Sequence, residues 1–371
     1  MPREALGAVV RAPGEAPQVE PIAVDAPGPG EVLVRIVASG VCHSDHWATM
    51  HGNWGSPFPM LLGHEGAGLI EEVGPGVTSH APGDPVVLVW AAPCGTCRGC
   101  RRGLPRTCSH DWHQPARLRR GASGEPLIGT LSLGTLASHT VVHAAQAIPA
   151  PAGADLSRLC LLGCGVSTGV GAALNTGAVR AGDAVAVIGL GGIGLAALQG
   201  ARIGGATRLV AVDLVASKLD LARRFGATDV VDASAGDPVA AVRALTGGEG
   251  VDLALEATGV PSVVSQAVAM LARGGTAVAI GVPPPESSVT IRWSGGEGAA
   301  YPTKTALRIT DGGDPVREDL ERWIGWGADG RLDLDGMVTR ELELTDADLA
   351  KAFRSMLAGE VIRSVVRMPA P

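Results

Sequence analysis

Two different rhythms of apolar and polar residues run along the chain. Over the first 150 residues the apolar segments are short, as in Val32 to Ala38 and Asp84 to Trp90, with turns such as Pro27-Gly28-Pro29-Gly30, Pro75-Gly76 and Pro82-Gly83 between them. Short runs closed by turn residues predict short strands, here a small irregular barrel. From Ala184 the rhythm lengthens to AVAVIGL, a helix through Ala201, RLVAVDL, a helix over Ser217 to Phe225, DVVDA, a helix over Pro238 to Leu245, VDLALEAT, a helix over Ser262 to Leu271, and GGTAVAIGV. Strands that are apolar throughout, alternating with amphipathic helices, predict a parallel sheet covered on both faces. Past residue 300 this alternation is lost. MVTRELEL, a helix over Asp346 to Leu357 and a last strand VIRSVVRM are expected to return to the first domain.

Composition adds bounds. A chain of 371 residues exceeds a typical domain of about 150, so two globular units are expected. A net charge of −7 argues against nucleic acid as partner, since phosphate binding draws on concentrated Lys and Arg. The one basic stretch, Arg98, Arg101, Arg102, Arg106, Arg117, Arg119 and Arg120, reads as a solvated loop. The start, MPREALGAVV, has no apolar signal core. The longest apolar run, Ala184 to Leu198, is broken by glycines and is shorter than the ~20 residues that span a bilayer. A soluble, cytoplasmic protein with no membrane partner is expected, with its cysteines reduced and set at metal spacing.

Four of the 7 cysteines, Cys94, Cys97, Cys100 and Cys108, stand as C-x2-C-x2-C-x7-C. Four thiolates at that density suit a closed, tetrahedral structural zinc, which leaves no coordination position for chemistry. A second motif follows the run Ala184-Val-Ala-Val-Ile: Gly189-Leu-Gly191-Gly192-Ile193-Gly194. Placed after a buried strand and opening a helix, its glycines permit a tight turn, close backbone approach to a pyrophosphate and close helix packing. Asp213 ends the next strand, where a carboxylate accepts hydrogen bonds from adenine ribose hydroxyls and repels a 2′-phosphate. NAD is therefore expected rather than NADP.

In order along the chain, GVCHSD, GHEGAG, the four-cysteine loop, GCGVSTG, GLGGIG and VIRSVV resemble the zinc-dependent medium-chain alcohol dehydrogenases. The likeness covers nearly the whole chain. It implies an α/β protein with a GroES-like β-rich catalytic domain, residues 1–165 and 301–371, around a Rossmann doubly wound parallel-sheet domain, residues 166–300. It further implies that Cys42, His64 and Cys164 hold a catalytic zinc with one open position, that Glu65 approaches the metal during ligand exchange, and that Asp45 orients His64. Cys160 matches no ligand and is expected in the core. In such enzymes zinc lowers the pKa of a bound alcohol and the nicotinamide takes the hydride. Ser44 resembles the hydroxyl that takes the proton. Many relatives continue the relay through a histidine five residues after the first cysteine, where this chain has Trp47, while His46 and His51 stand out of register.

By the same resemblance His43 meets the cofactor pyrophosphate, Lys218 the adenosine ribose, Arg363 a second phosphate, and Thr168, Ile193 and Val282 the nicotinamide. Trp90 and Trp47 are implied walls of the substrate pocket, favouring a primary, aromatic or extended alcohol or its aldehyde. VVLVWAAPCG and EVIRSVV also resemble the actinobacterial branch that oxidises a formaldehyde adduct of mycothiol, with Arg117 to Arg120 as a candidate contact for its polar groups. A zinc-free quinone reductase lacks these ligands, and a nucleotide-binding protein without turnover does not need Ser44. Paired Rossmann edges in the family imply a homodimer or homotetramer.

Overall fold

A computed structural model describes the whole chain apart from residues 1, 53–57, 91, 103, 105–106, 110–116, 122, 285, 292–305, 311 and 370–371. Its contacts separate two units, Met1–Cys164 with Val316–Pro371, and Gly165–Pro315. In the first unit the strands Arg3–Val10, Gln18–Val24, Leu118–Arg120, Pro126–Gly129 and Met60–Leu61 close a barrel. A second sheet centres on Glu31–Val41, which is buried along almost its whole length. It pairs antiparallel with Glu65–Val73 on one side and with Arg363–Arg367 on the other, so the end of the chain lies in register beside its beginning.

The helix Asp346–Leu357 shows why the tail returns there. Leu349, Ala352, Phe353 and Met356 recur every three or four residues and enter one core with Val10, Val41 and Val366. Thr345 starts the helix by accepting the Asp348 N–H at 3.2 Å.

The second unit is a six-stranded parallel sheet. In chain order its strands lie third, second, first, fourth, fifth, sixth. The first, Ala184–Ile188, occupies the middle, and Val185, Ala186 and Val187 are fully buried. The intervening helices are Gly192–Ile203, Ala216–Arg224, Pro238–Leu245 and Pro261–Ala269. Two features differ from the sequence expectation. The fourth helix stops at Ala269 because Leu271 already pairs with Val251, opening the strand Leu271–Ala279. The unit also continues past residue 300 to Pro315, since Ala306–Ile309 adds a sixth strand in parallel register with Thr276 to Ala279. Four residues with three exposed carry too little apolar periodicity to announce a strand. Among the described residues no single helix is long and apolar enough to cross a membrane.

Candidate active site and metal centres

The central sheet of the first unit delivers one cluster. Cys42 follows the strand Glu31–Val41 and precedes the helix His43–His51, while His64 and Glu65 stand at the start of Glu65–Val73. Cys164 ends the helical turn Cys160–Gly163. One ligand atom from each of Cys42, His64, Glu65 and Cys164 lies within 4.8 Å of the others, and all four residues are buried. Asp45, fully buried in the first turn of its helix, holds the group in place. Its Oδ2 accepts the Cys42 N–H at 3.0 Å, and its Oδ1 accepts the Gly63 N–H at 3.2 Å and lies 2.9 Å from His64 Nδ1. The backbone of Cys42 and that of Gly63, just before the histidine, are thus tied to the same carboxylate that fixes its ring.

Electrostatics divides the two sulfurs of this cluster, since the hydrogen bond with Cys42 and then burial raise the Cys164 thiol well above the usual range. The Cys164 thiol and, after it, His64 hold Cys42 well below the usual thiol range against the opposing effect of burial. Burial works against a charged His64, yet Asp45 keeps it well above the usual imidazole range. His64 Nε2 is buried without a hydrogen-bond partner among the described residues. An orphaned imidazole nitrogen beside two sulfurs and a carboxylate is the donor set of a zinc site. The carboxylate has a competing partner, because Glu65 forms a buried ion pair with Arg363. Arg363, expected at a cofactor phosphate, is placed beside this cluster.

Ser44 and Trp47 lie on the same helix, both half-buried, and His43 is exposed. Trp47 stacks on His51 with ring centroids 4.0 Å apart. Trp90 packs against the core of the central sheet. Cys160 is fully buried, its Sγ 3.4 Å from the Ser157 carbonyl, and burial raises its thiol far above the usual range. That is a packing role.

The second cluster is Cys94, Cys97, Cys100 and Cys108, partly exposed, with sulfurs again within 4.8 Å. Backbone N–H groups point inward: Cys97 N to Cys94 Sγ at 3.2 Å, Cys100 N to Cys97 Sγ at 3.5 Å and Cys94 N to Cys108 Sγ at 3.3 Å. The Cys100 N–H, then that of Ser109, lowers Cys97 to about 6. Burial raises Cys100 to about 11, so the loop does not favour all four thiolates equally, but its four clustered sulfurs fit a closed zinc site. Of the neighbouring arginines, Arg106 lies outside the described residues. Arg117 bonds to Glu31 at the head of the central sheet strand, and Arg119 and Arg120 bond to Asp25 and Glu20 at the barrel strand Gln18–Val24, so each guanidinium is held by a carboxylate.

In the second unit the glycine motif forms the turn between Ala184–Ile188 and Gly192–Ile203. Gly189 has φ +88°, and a Cβ on Gly194 would stand 1.8 Å from the Gly189 carbonyl oxygen, so neither position accepts a side chain. A Cβ on Gly191 would meet nothing within 4 Å. That open face fits a pyrophosphate over the N-terminus of the helix. Asp213 accepts the Leu190 N–H at 2.7 Å and the Val215 N–H at 3.0 Å, which ties the carboxylate to the glycine turn. Gly192 and Ile193 are half-buried beside it, as is Lys218 in the next helix. Thr168 is buried, and its hydroxyl has no partner among the described residues, while Val282 is 78% exposed.

One residue with a role at this turn escaped the sequence reading. Glu256, at the end of VDLALE, is fully buried. The signal was a carboxylate closing the strand directly after Leu253-Ala254-Leu255.

The family models agree with this construction. Residues 28–152 match the alcohol dehydrogenase GroES-like domain, and residues 192–295 match the zinc-binding dehydrogenase domain. The chain is 36% identical to an S-(hydroxymethyl)glutathione dehydrogenase of Escherichia coli over 97% of this chain and 98% of that one. An alcohol dehydrogenase zinc-binding domain protein from Burkholderia ambifaria superposes with a TM-score of 0.91 at 35% identity, covering 100% of both chains. Benzyl alcohol dehydrogenase from Acinetobacter calcoaceticus gives 0.87 at 26% identity over 99% of this chain and 100% of that one. The protein belongs to the zinc-dependent medium-chain alcohol dehydrogenase family. It is an oxidoreductase of alcohol dehydrogenase type, acting on alcohols or aldehydes with zinc and a nicotinamide dinucleotide as cofactors.

Proposed function

We propose that the protein oxidises a primary alcohol, aromatic or extended, to its aldehyde with NAD, and catalyses the reverse reduction. The observation that carries this reading is the buried cluster of Cys42, His64 and Cys164, with His64 Nε2 left without a partner and Nδ1 fixed by Asp45. These three residues would hold the working zinc, and Cys94, Cys97, Cys100 and Cys108 a structural one. When bound, zinc supplies Lewis-acid activation of the alcohol oxygen and NAD supplies the hydride acceptor. The Ser44 hydroxyl takes the proton that leaves that oxygen. Because Trp47 stands where relatives carry a histidine, and its ring is stacked on His51, the proton continues to water. Trp47 and Trp90 provide flat walls for an aryl or extended substrate.

In the dinucleotide site Gly189, Gly191, Gly192, Ile193 and Gly194 carry the pyrophosphate, and Asp213 the adenine ribose. Lys218 stands by for that ribose, with His43 toward phosphate together with Arg363, whose guanidinium also pairs with Glu65, and Thr168 and Val282 toward the nicotinamide. Residues 1–164 with 316–371 are the catalytic domain in this reading, and residues 165–315 the cofactor domain. The protein is cytoplasmic and a homodimer or homotetramer. The edge strand Ala306–Ile309 supports association, as Leu307 is 38% and Ile309 81% exposed.

A second reading, oxidation of a thiol adduct of formaldehyde, is favoured by the relatives named for S-(hydroxymethyl)glutathione. The engagement of Arg117, Arg119 and Arg120 with Glu31, Asp25 and Glu20 weighs against their receiving such an adduct. The two readings separate in an NADH absorbance assay. Turnover of benzyl alcohol or a long-chain alcohol without added thiol supports the first. Turnover only with formaldehyde plus mycothiol or glutathione supports the second.

A further inference from the structure

Glu256 is a buried carboxylate that the proposed chemistry does not use. It ends the fourth parallel strand, where its backbone continues the ladder: Ala257 N–H bonds to the Ile188 carbonyl at 2.9 Å, and Ile280 N–H to the Glu256 carbonyl at 2.8 Å. Its side chain turns back onto the loop that follows. Oε1 accepts the Thr258 N–H at 2.6 Å, the Thr258 hydroxyl, and the Gly259 N–H at 3.1 Å. The Thr258 hydroxyl in turn accepts the Val260 N–H at 3.1 Å. Burial raises the carboxyl above its usual range against these donors.

The loop so held is pressed between two other segments. A Cβ on Gly189 would stand 2.5 Å from the Thr258 methyl carbon, so that methyl covers the bend of the glycine motif. On the other side, a Cβ on Gly281 would lie 2.0 Å from the Gly259 nitrogen, and one on Gly259 would lie 2.6 Å from the Val282 carbonyl oxygen. Three stretches of backbone meet with no room for displacement. A shift of the 257–260 turn therefore moves both the glycine bend and Val282.

The sheet order assigns a side to this contact. Asp213 ends the strand on one flank of Ala184–Ile188, and Glu256 ends the strand on the other. In a doubly wound sheet the dinucleotide lies across this switch point, with its adenosine half toward the second-strand carboxylate. The ends of the fourth and fifth strands are left for the other half. We propose that Glu256 is a positioning residue for the nicotinamide half of NAD, acting through Thr258, Gly259 and Val282. This inference rests on the dinucleotide-site reading above.

Calorimetric titration of the full-length, zinc-loaded protein with NAD and separately with AMP tests it, because AMP uses only the Asp213 side. Glu256→Gln keeps the volume and one accepting oxygen for Thr258 and Gly259, but it removes the charge and puts an NH2 where Oε2 faces the Gly259 N–H at 3.4 Å. It should weaken NAD binding about tenfold, a charged hydrogen bond's worth, while AMP binding stays within about twofold. Equal loss of both ligands, or loss of neither, overturns the proposal. Should that variant fail to fold, Thr258→Val keeps the methyl over Gly189 and removes only the hydroxyl held by Glu256. An NAD affinity reduced about threefold with AMP retained supports the proposal, and an unchanged ratio of the two affinities overturns it. A wild-type protein that binds neither ligand removes the dinucleotide reading and this proposal with it. Normal wild-type binding with unaffected variants removes this proposal alone.

Discussion

Single side chains divide the chemistry into parts that can be removed one at a time. Ser44→Ala takes away the proposed first proton acceptor but no metal or cofactor ligand. Single-turnover NADH formation should fall strongly while zinc content and NAD binding persist, and an unimpaired variant would refute the relay. Asp213→Ala removes both the ribose acceptor and the charge that repels a 2′-phosphate. The kcat/KM preference for NAD over NADP should shrink by about 1–3 kcal/mol, the scale of a charged hydrogen bond. A wild-type preference for NADP would contradict the assignment. The reach of the sequence at this scale was uneven. Asp213 was legible because a carboxylate at a strand end follows a glycine turn at a recognisable distance. Cys42, His64 and Cys164 were not, since ligands dispersed over the chain meet only when two strands and a helical turn are folded. Family resemblance grouped them. The ion pair of Arg363 with Glu65 was not legible either, because it depends on a three-dimensional contact across nearly the whole chain.

Elements hold these side chains through pairing and capping, and one pairing carries a titration of its own. His139 opens the strand His139–His143, opposite Arg35 on the central strand. Its Nε2 lies 3.4 Å from Glu71, which also pairs with Arg3 and Arg35. Burial lowers His139 below the ordinary imidazole value, with Arg3 and Arg35 adding to the effect and Glu71 opposing it. The unfolded chain, with an imidazole near about 6.5, then binds more protons than the fold between the lowered value and that pH. Stability rises with pH across this window and falls on acidification through it. His139→Gln should flatten the slope of melting temperature against pH from about 7 downward, and an identical slope in both proteins would show that the histidine is not the source. Long apolar periodicity made the helix Asp346–Leu357 and the buried strands legible. The short edge strand Ala306–Ile309 was invisible because its pairing partner, not its own pattern, makes it a strand.

At the scale of the whole molecule the sequence foretold two units, because a change of apolar rhythm at Ala184 marks the change of architecture. By its contacts the second unit ends at Pro315, past the residue 300 that the rhythm suggested. Both zinc clusters fall within the unit Met1–Cys164 with Val316–Pro371, and the dinucleotide motif within Gly165–Pro315. Metal and cofactor chemistry can therefore be perturbed separately. The central claim is that one zinc sits in the closed four-cysteine loop and a second, working zinc on Cys42, His64 and Cys164. Metal analysis of pure, fully loaded wild-type protein beside Cys164→Ser tests it most directly. The account predicts two zinc ions per chain in the wild type and one in a folded, inactive variant. One zinc or none in the wild type, or two retained in a variant that still oxidises alcohol, would contradict it.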